Sequence, residues 1–246
     1  MISRKIAEQT LAEALKTGGD FAELFLQDKR SSTLALLDGR IENAVTGRAH
    51  GAGIRIIKGL SSVYVHTNDT SLTGLTAAAR RAADAVGDGS AAVDVHLIGS
   101  VAANLHAYRQ LPMDVPGARK AKLLKTASAA ARSVSDEIVQ VRVAVSDSDS
   151  DVLIANSEGL FTADRRVYTR FMTSAVAAGG GENQTGGGSP GALMGYELFE
   201  TRVDVEQVAR EAAQQAVTML HADPCPAGRM PVVIDGGFGG VIFHEA

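Results

Sequence analysis

Residues 32–47 read STLALLDGRIENAVTG, two short runs that meet at Asp38-Gly39. Asp-Gly between such runs is a strong hairpin signal, because both central residues of a type I′ turn need positive φ. The stretch FAELFLQD (21–28) precedes it. GAGIRIIKG (51–59) and SSVYVHTND (61–69) read as two more strands, parted at Gly59-Leu60. Helices bracket this group. Ile6, Leu11, Ala14 and Leu15 form a helical stripe stopped by Gly18-Gly19, and the alanine-rich SLTGLTAAARRAADAVGDG (71–89) is closed by Gly87.

The same order recurs downstream. Pro112 and Pro116 mark a boundary after the less regular residues 88–115, and PGARKAKLLKTASAAARSV (116–134) reads as a helix. EIVQVRVAVSDSD (137–149), DVLIANSEG (151–159) and VYTRFMTSAVA (167–177) read as strands, GALMGYELFE (191–200) as a fourth, and DVEQVAREAAQQAVTMLHA (204–222) as an amphipathic helix. DPCPAGR (223–229) reads as a linker and MPVVID (230–235) as a short buried strand. Strands that cluster between helices predict an α+β fold with mostly antiparallel sheets. The expected organisation is an α+β domain at 1–110, a second at 111–222, and the start of a third at 223–246. No matching residues support a true repeat.

Composition narrows the function. With 45% hydrophobic and 21% charged residues the chain is an ordinary globular sequence, not a disordered one. A net charge of −4 with scattered basic residues leaves no electrostatic footprint for nucleic acid. One cysteine excludes an internal disulfide framework and suits a reducing compartment. The first twenty residues carry charges every few positions, so there is no apolar signal core, and no segment approaches the roughly 20 apolar residues of a membrane span. A cytoplasmic protein is expected.

Several motifs carry candidate chemistry. Gly186, Gly188 and Gly191 fit G-x-G-x-x-G, but no strand leads directly in and Pro190 interrupts. With GGGENQT (179–185) ahead of them, they read as a mobile hairpin connection. Asp147, Asp149 and Asp151 alternate like a calcium loop yet lack its glycine and distant glutamate, which favours a solvated hairpin turn. Cys225 lies between two prolines with no partner base. His50, His66, His96, His106 and His221 show no ligand spacing. The remaining motif is His244-Glu245 in GGVIFHEA, where an apolar helix start follows a glycine-rich turn. In zinc peptidases a histidine near a helix start ligates the metal and the adjacent glutamate is general base toward metal-bound water. An exposed dipeptide without function is the competing reading of these two residues.

From GFGGVIFHEA the sequence resembles the TldD/PmbA family, also called modulators of DNA gyrase, whose TldD-type members carry His-Glu-x-x-x-His entered from a strand and a glycine-containing turn. The likeness continues upstream through FAELFLQDKRSSTLALLDGRIENAVTGRAHGAGIRII (21–57), VHTND (65–69) before a helix, and VLIANSEG (152–159), similar to the family's Asn-Ser-x-Gly turn. The resemblance implies a zinc-dependent peptidase that cleaves peptides or unfolded segments. It implies a homodimer, or a heterodimer with a PmbA-type subunit. His244 would be the first Zn2+ ligand and Glu245 the catalytic base. The second His would fall three positions beyond Ala246 and a Cys ligand later still, so the chain itself is expected to be inactive. Retention of His-Glu favours the TldD type over the PmbA type, which lacks the metal motif. The alternative is a non-catalytic PmbA-like partner or a peptide-binding and dimerisation module.

Overall fold

In a computed structural model the structure describes residues 1–87, 89, 92–99, 106–237 and 239–245. Helix α1 (Arg4–Ala14) starts where the Ser3 side chain accepts from the Ile6 amide, and buries Ala7, Leu11 and Ala14. Strands β1 (Phe21–Leu37) and β2 (Arg40–Lys58) form the hairpin expected at Asp38-Gly39, with φ of 49° and 74° at the turn. β3 (Ser61–Thr67) pairs with the end of β2, and Ser71 caps α2 (Leu72–Val86) by accepting from the Gly74 amide. After the two-residue β4 (Ile98–Gly99) and a 3-10 turn at Pro112–Asp114 come α3 (Gly117–Arg132), β5 (Ile138–Asn156) and β6 (Leu160–Gly179). Then follow β7 (Glu182–Gly188), β8 (Gly191–Ala192), α4 (Leu198–Thr201), α5 (Val205–Leu220) and α6 (Gly240–Glu245).

The architecture is α+β, as expected. The two strand-rich units share one sheet, ordered β3-β2-β1-β5-β6-β4, with β7 and β8 also on β6. Among the described strands only β4 pairs in parallel. The join is the antiparallel pairing of β1 with β5, from Glu23 opposite Asn156 to Leu37 opposite Arg142 without a register shift.

Strands are longer than the sequence runs suggested. FAELFLQD and STLALL are one strand, as are the runs on either side of Gly47 and on either side of Asp149. Polar residues that looked like breaks are paired across strands instead.

Because side chains alternate along a strand, the unbroken register puts residues 24, 26, 34 and 36 of β1 on the same face as 155, 153, 145 and 143 of β5. All helical packing lies on that face. Leu24, Leu26, Ile54, Ile56 and Leu153 meet α1 and α2 in one apolar cluster. Leu36, Val141, Val143, Val145 and Phe171 meet α3 and α5 in a second. Each buried Leu, Ile or Phe side chain contributes about 1.5–3 kcal/mol. The opposite face carries none of these helices.

Three local expectations change. GALMGYELFE holds only the two residues of β8 before bends and the short α4, with Tyr196 and Leu198 buried. Its apolar residues serve a packed turn, so they carry no strand alternation. MPVVID is neither strand nor buried: Val232 is 72% and Val233 103% exposed. Among the described residues no strand pairs with it. GGGENQTGGG forms the β6–β7 hairpin through Gly180-Gly181. A Cβ at Gly186 would stand 2.0 Å from the Ala212 carbonyl oxygen of α5. Close helix packing, rather than a phosphate, accounts for that glycine.

Candidate metal-binding helix and the charged layer of the sheet

Beyond α5 the chain runs from Ala222 to Asp235 without helix or strand, then turns into α6. Cys225 is exposed in this linker, as the flanking prolines implied. His244 and Glu245 are both exposed on α6, the helix expected from VIFHE, alongside Phe243 at 76% and Ile242 at 57%. Among the described residues no three His, Cys, Asp or Glu side chains come together in a way that holds a metal ion. A catalytic zinc takes three protein ligands. The described donors therefore do not by themselves fit a catalytic zinc centre, and no reaction step is derived through one.

Two of the other histidines, His50 and His221, lie beside polar side chains. His50 Nε2 is 3.0 Å from Thr70 Oγ1, with Asp28 3.6 Å from its other nitrogen. His221 lies 2.9 Å from Glu137.

The SDSDSD stretch overturns the expectation of a solvated turn. It occupies the middle of β5, and Asp147 and Asp149 are each only 2% exposed. The polar layer they form separates the two apolar clusters on the helical face, with Asp28, Arg30 and Ser32 of β1 opposite Asp151, Asp149 and Asp147. Lys120 of α3, itself buried, donates to Asp147 Oδ2 at 2.5 Å, and the Ser32 hydroxyl donates to the same oxygen at 3.1 Å. Burial pushes the Asp147 carboxyl above the usual carboxylate range, against the pull of Lys120 and Ser32. Asp149 accepts from Arg165 at 2.9 and 2.8 Å and from Arg30 at 3.1 Å. The Arg165 hydrogen bonds hold its carboxyl below the usual range, outweighing burial.

Tyr196 closes the layer toward α3. Its ring meets Phe199 edge-on at 5.1 Å and lies 5.2 Å from the Arg119 guanidinium carbon, and burial pushes its phenol up to about 12. Polar residues at every position of SDSDSD give no hydropathy alternation, so hydropathy alone does not point to this buried network. The available signal was charge complementarity: acids at alternate positions of β5 match Arg30 and Arg165 on the flanking strands.

The sheet, its one-sided helices and the exposed His-Glu helix define an α+β class, and comparison with known proteins identifies it. Residues 22–86 match the PmbA/TldA metallopeptidase domain 1, and residues 111–220 match the PmbA/TldA metallopeptidase central domain. A metalloprotease of Methanothermobacter thermautotrophicus is 32% identical over 92% of this chain and 49% of its own length. A metalloprotease TldD homolog of Haemophilus influenzae is 28% identical over 92% and 48%. A crystal structure from Bacteroides thetaiotaomicron, of a protein carrying the label of DNA gyrase modulator, superposes with a TM-score of 0.71 at 14% identity. It aligns with 92% of this chain and 52% of its own.

The chain belongs to the TldD/PmbA family, whose curated members are named metalloproteases. It spans about half the length of the curated relatives it matches. Among the described residues no helix is long and apolar enough to cross a membrane.

Proposed function

We propose that the chain carries the first two domains, bounded near residues 110 and 222, and the opening metal-ligand helix of a TldD-type zinc-dependent metallopeptidase. Its substrates are peptides or unfolded segments, and it works in the cytoplasm as a homodimer or with a PmbA-type subunit. One observation carries this reading. His244-Glu245 sits on a helix behind a glycine turn, in a chain whose preceding domains match PmbA/TldA metallopeptidases. In this reading His244 is a Zn2+ ligand and Glu245 is the general base. A carboxylate adjacent to a ligand suits proton transfer from an attacking water.

The 246 residues alone then hold no catalytic zinc and hydrolyse no peptide. Calorimetric titration with zinc is expected to find no stoichiometric site of sub-micromolar Kd; such a site, abolished by His244→Ala, overturns this part. In a gene product that reads on past Ala246, Glu245→Gln is expected to abolish hydrolysis of an unfolded peptide while bound zinc is retained. Hydrolysis unaffected by that substitution overturns the peptidase reading.

A second reading, a non-catalytic PmbA-like partner or a peptide-binding and dimerisation module, is favoured by the donor set of only His244 and Glu245 on α6. A natural stop codon directly after Ala246 would decide for it.

A further inference from the structure

The face of the sheet turned away from the helices carries a cleft of about 620 Å3. Its floor is hydroxylated, with Ser31 from β1 and Ser146 and Ser148 from β5, and Tyr168 of β6, half exposed, stands along it. Gln27 donates to Ser150 at 3.0 Å on one side, and Thr33 lies 3.2 Å from Ser146 on the other, so the floor is held in place across strands.

Two cations mark its ends, Lys29 on β1 and Arg170 on β6. Lys29 has no carboxylate within ion-pair reach among the described residues. Among the described residues Arg170 is held only by Ser189, donating to its carbonyl at 3.2 Å and its hydroxyl at 3.0 Å. Asp147 borders the cleft, but strand alternation turns its carboxylate to the helical face, where Lys120 and Ser32 hold it. The cleft thus presents uncompensated positive charge on a polar floor, in a chain whose net charge is −4.

The register sets the spacing of that charge. Lys29 lies opposite Ser150, and Arg170 opposite Ser146. The offset is four residues along β5 and two strands across it. At about 3.3 Å per residue and about 4.8 Å per strand, the two Cα atoms are roughly 16 Å apart. An extended peptide covers that distance in about five residues.

We infer that this cleft binds an extended acidic peptide segment, with carboxylates four to five residues apart seated on Lys29 and Arg170. Hydroxyls of the floor complement peptide amides and carbonyls, since each can donate and accept. The overall negative charge disfavours a nucleic-acid strand, which needs a continuous basic track. In taking a peptide as occupant the inference rests on the peptidase reading, but it concerns binding and no bond is cut.

The test is fluorescence anisotropy on the 246-residue chain with a labelled octapeptide bearing two glutamates five residues apart. Comparison probes are its glutamine counterpart, a peptide with adjacent glutamates, and a short oligodeoxynucleotide. The spaced acidic peptide is expected to bind about tenfold tighter than the glutamine version, and the advantage should vanish between about 0.05 and 0.5 M salt. Lys29→Gln with Arg170→Gln should abolish the preference in a protein that melts like the parent. If that variant does not fold, the salt dependence and probe series on the unaltered chain still decide. Equal binding of the glutamine peptide, of the adjacent-glutamate peptide or of the oligonucleotide overturns the inference. So does absence of binding, and none of these results depends on zinc or on Glu245.

Discussion

The centre of β5 and the stretch from Met230 to Ile234 invert one another. SDSDSD is as polar as a sequence can be, yet Asp147 and Asp149 lie at 2% exposure between two strands and beneath α3. PVVI is almost wholly apolar, yet Val233 is fully exposed. The difference is in their neighbours. The β5 acids have Arg30 and Arg165 brought beside them on the flanking strands and Lys120 brought down from α3, whereas among the described residues no strand pairs with 230–235. Hydropathy describes what a side chain gains from burial; topology decides whether burial is offered.

The largest test of this contrast is Lys120→Met, which leaves the buried Asp147 carboxylate without its cation. A loss of about 3–5 kcal/mol in urea unfolding is expected. Adding Asp147→Leu should recover most of it, because an apolar pair replaces a buried ion pair at little cost. A single variant that unfolds at the parental midpoint would show that the pair does not hold α3.

Asp149→Asn is expected to cost less, about 2 kcal/mol, since its charge-assisted bonds to two arginines weaken while those partners keep access to water. The pH dependence follows from the lowered carboxyl. Asp149's contribution is complete above the ordinary aspartate pKa of about 3.9 and is lost as pH falls through its lower folded value. The variant should therefore lose part of the acid limb of the stability profile, and an unchanged limb would remove Asp149 as its source.

Smallest of all, Val233→Ser should change stability by less than about 0.5 kcal/mol. A loss above about 1 kcal/mol would place that side chain against a neighbour and erase the contrast. Limited proteolysis completes the series: residues 223–235 should be cut before any strand of the sheet, as exposed and unpaired backbone.

Much of the fold was legible. Four helices are legible, α1 and α5 from an apolar stripe, α2 from its alanines and closing Gly87, and α3 from the proline at its start, and the structure adds Ser3, Ser71 and Asp204 as side-chain caps of three of them. Asp38-Gly39 announced the central hairpin because its chemistry is local. What could not be read was the continuity of β1 and β5 through their polar middles, since Arg30 and Ser32, which meet these acids across the β1–β5 pairing, lie more than a hundred residues away in sequence, and Lys120 reaches Asp147 from a helix. The His-Glu helix was legible as a motif for the same local reason as the turn. The cleft between Lys29 and Arg170 was not, because only the register of three strands brings its residues together.

The β1–β5 pairing also sets a schedule for synthesis. Leu37 waits for Arg142, so β1 leaves the ribosome roughly 100 residues before its partner, about 5–20 s at ordinary elongation rates. Through that interval the nascent first unit offers a bare hydrogen-bonding edge on a strand of 17 residues. The charges at Asp28, Lys29 and Arg30, midway along that edge, oppose wrong pairing with other nascent chains while the correct acids are still to come.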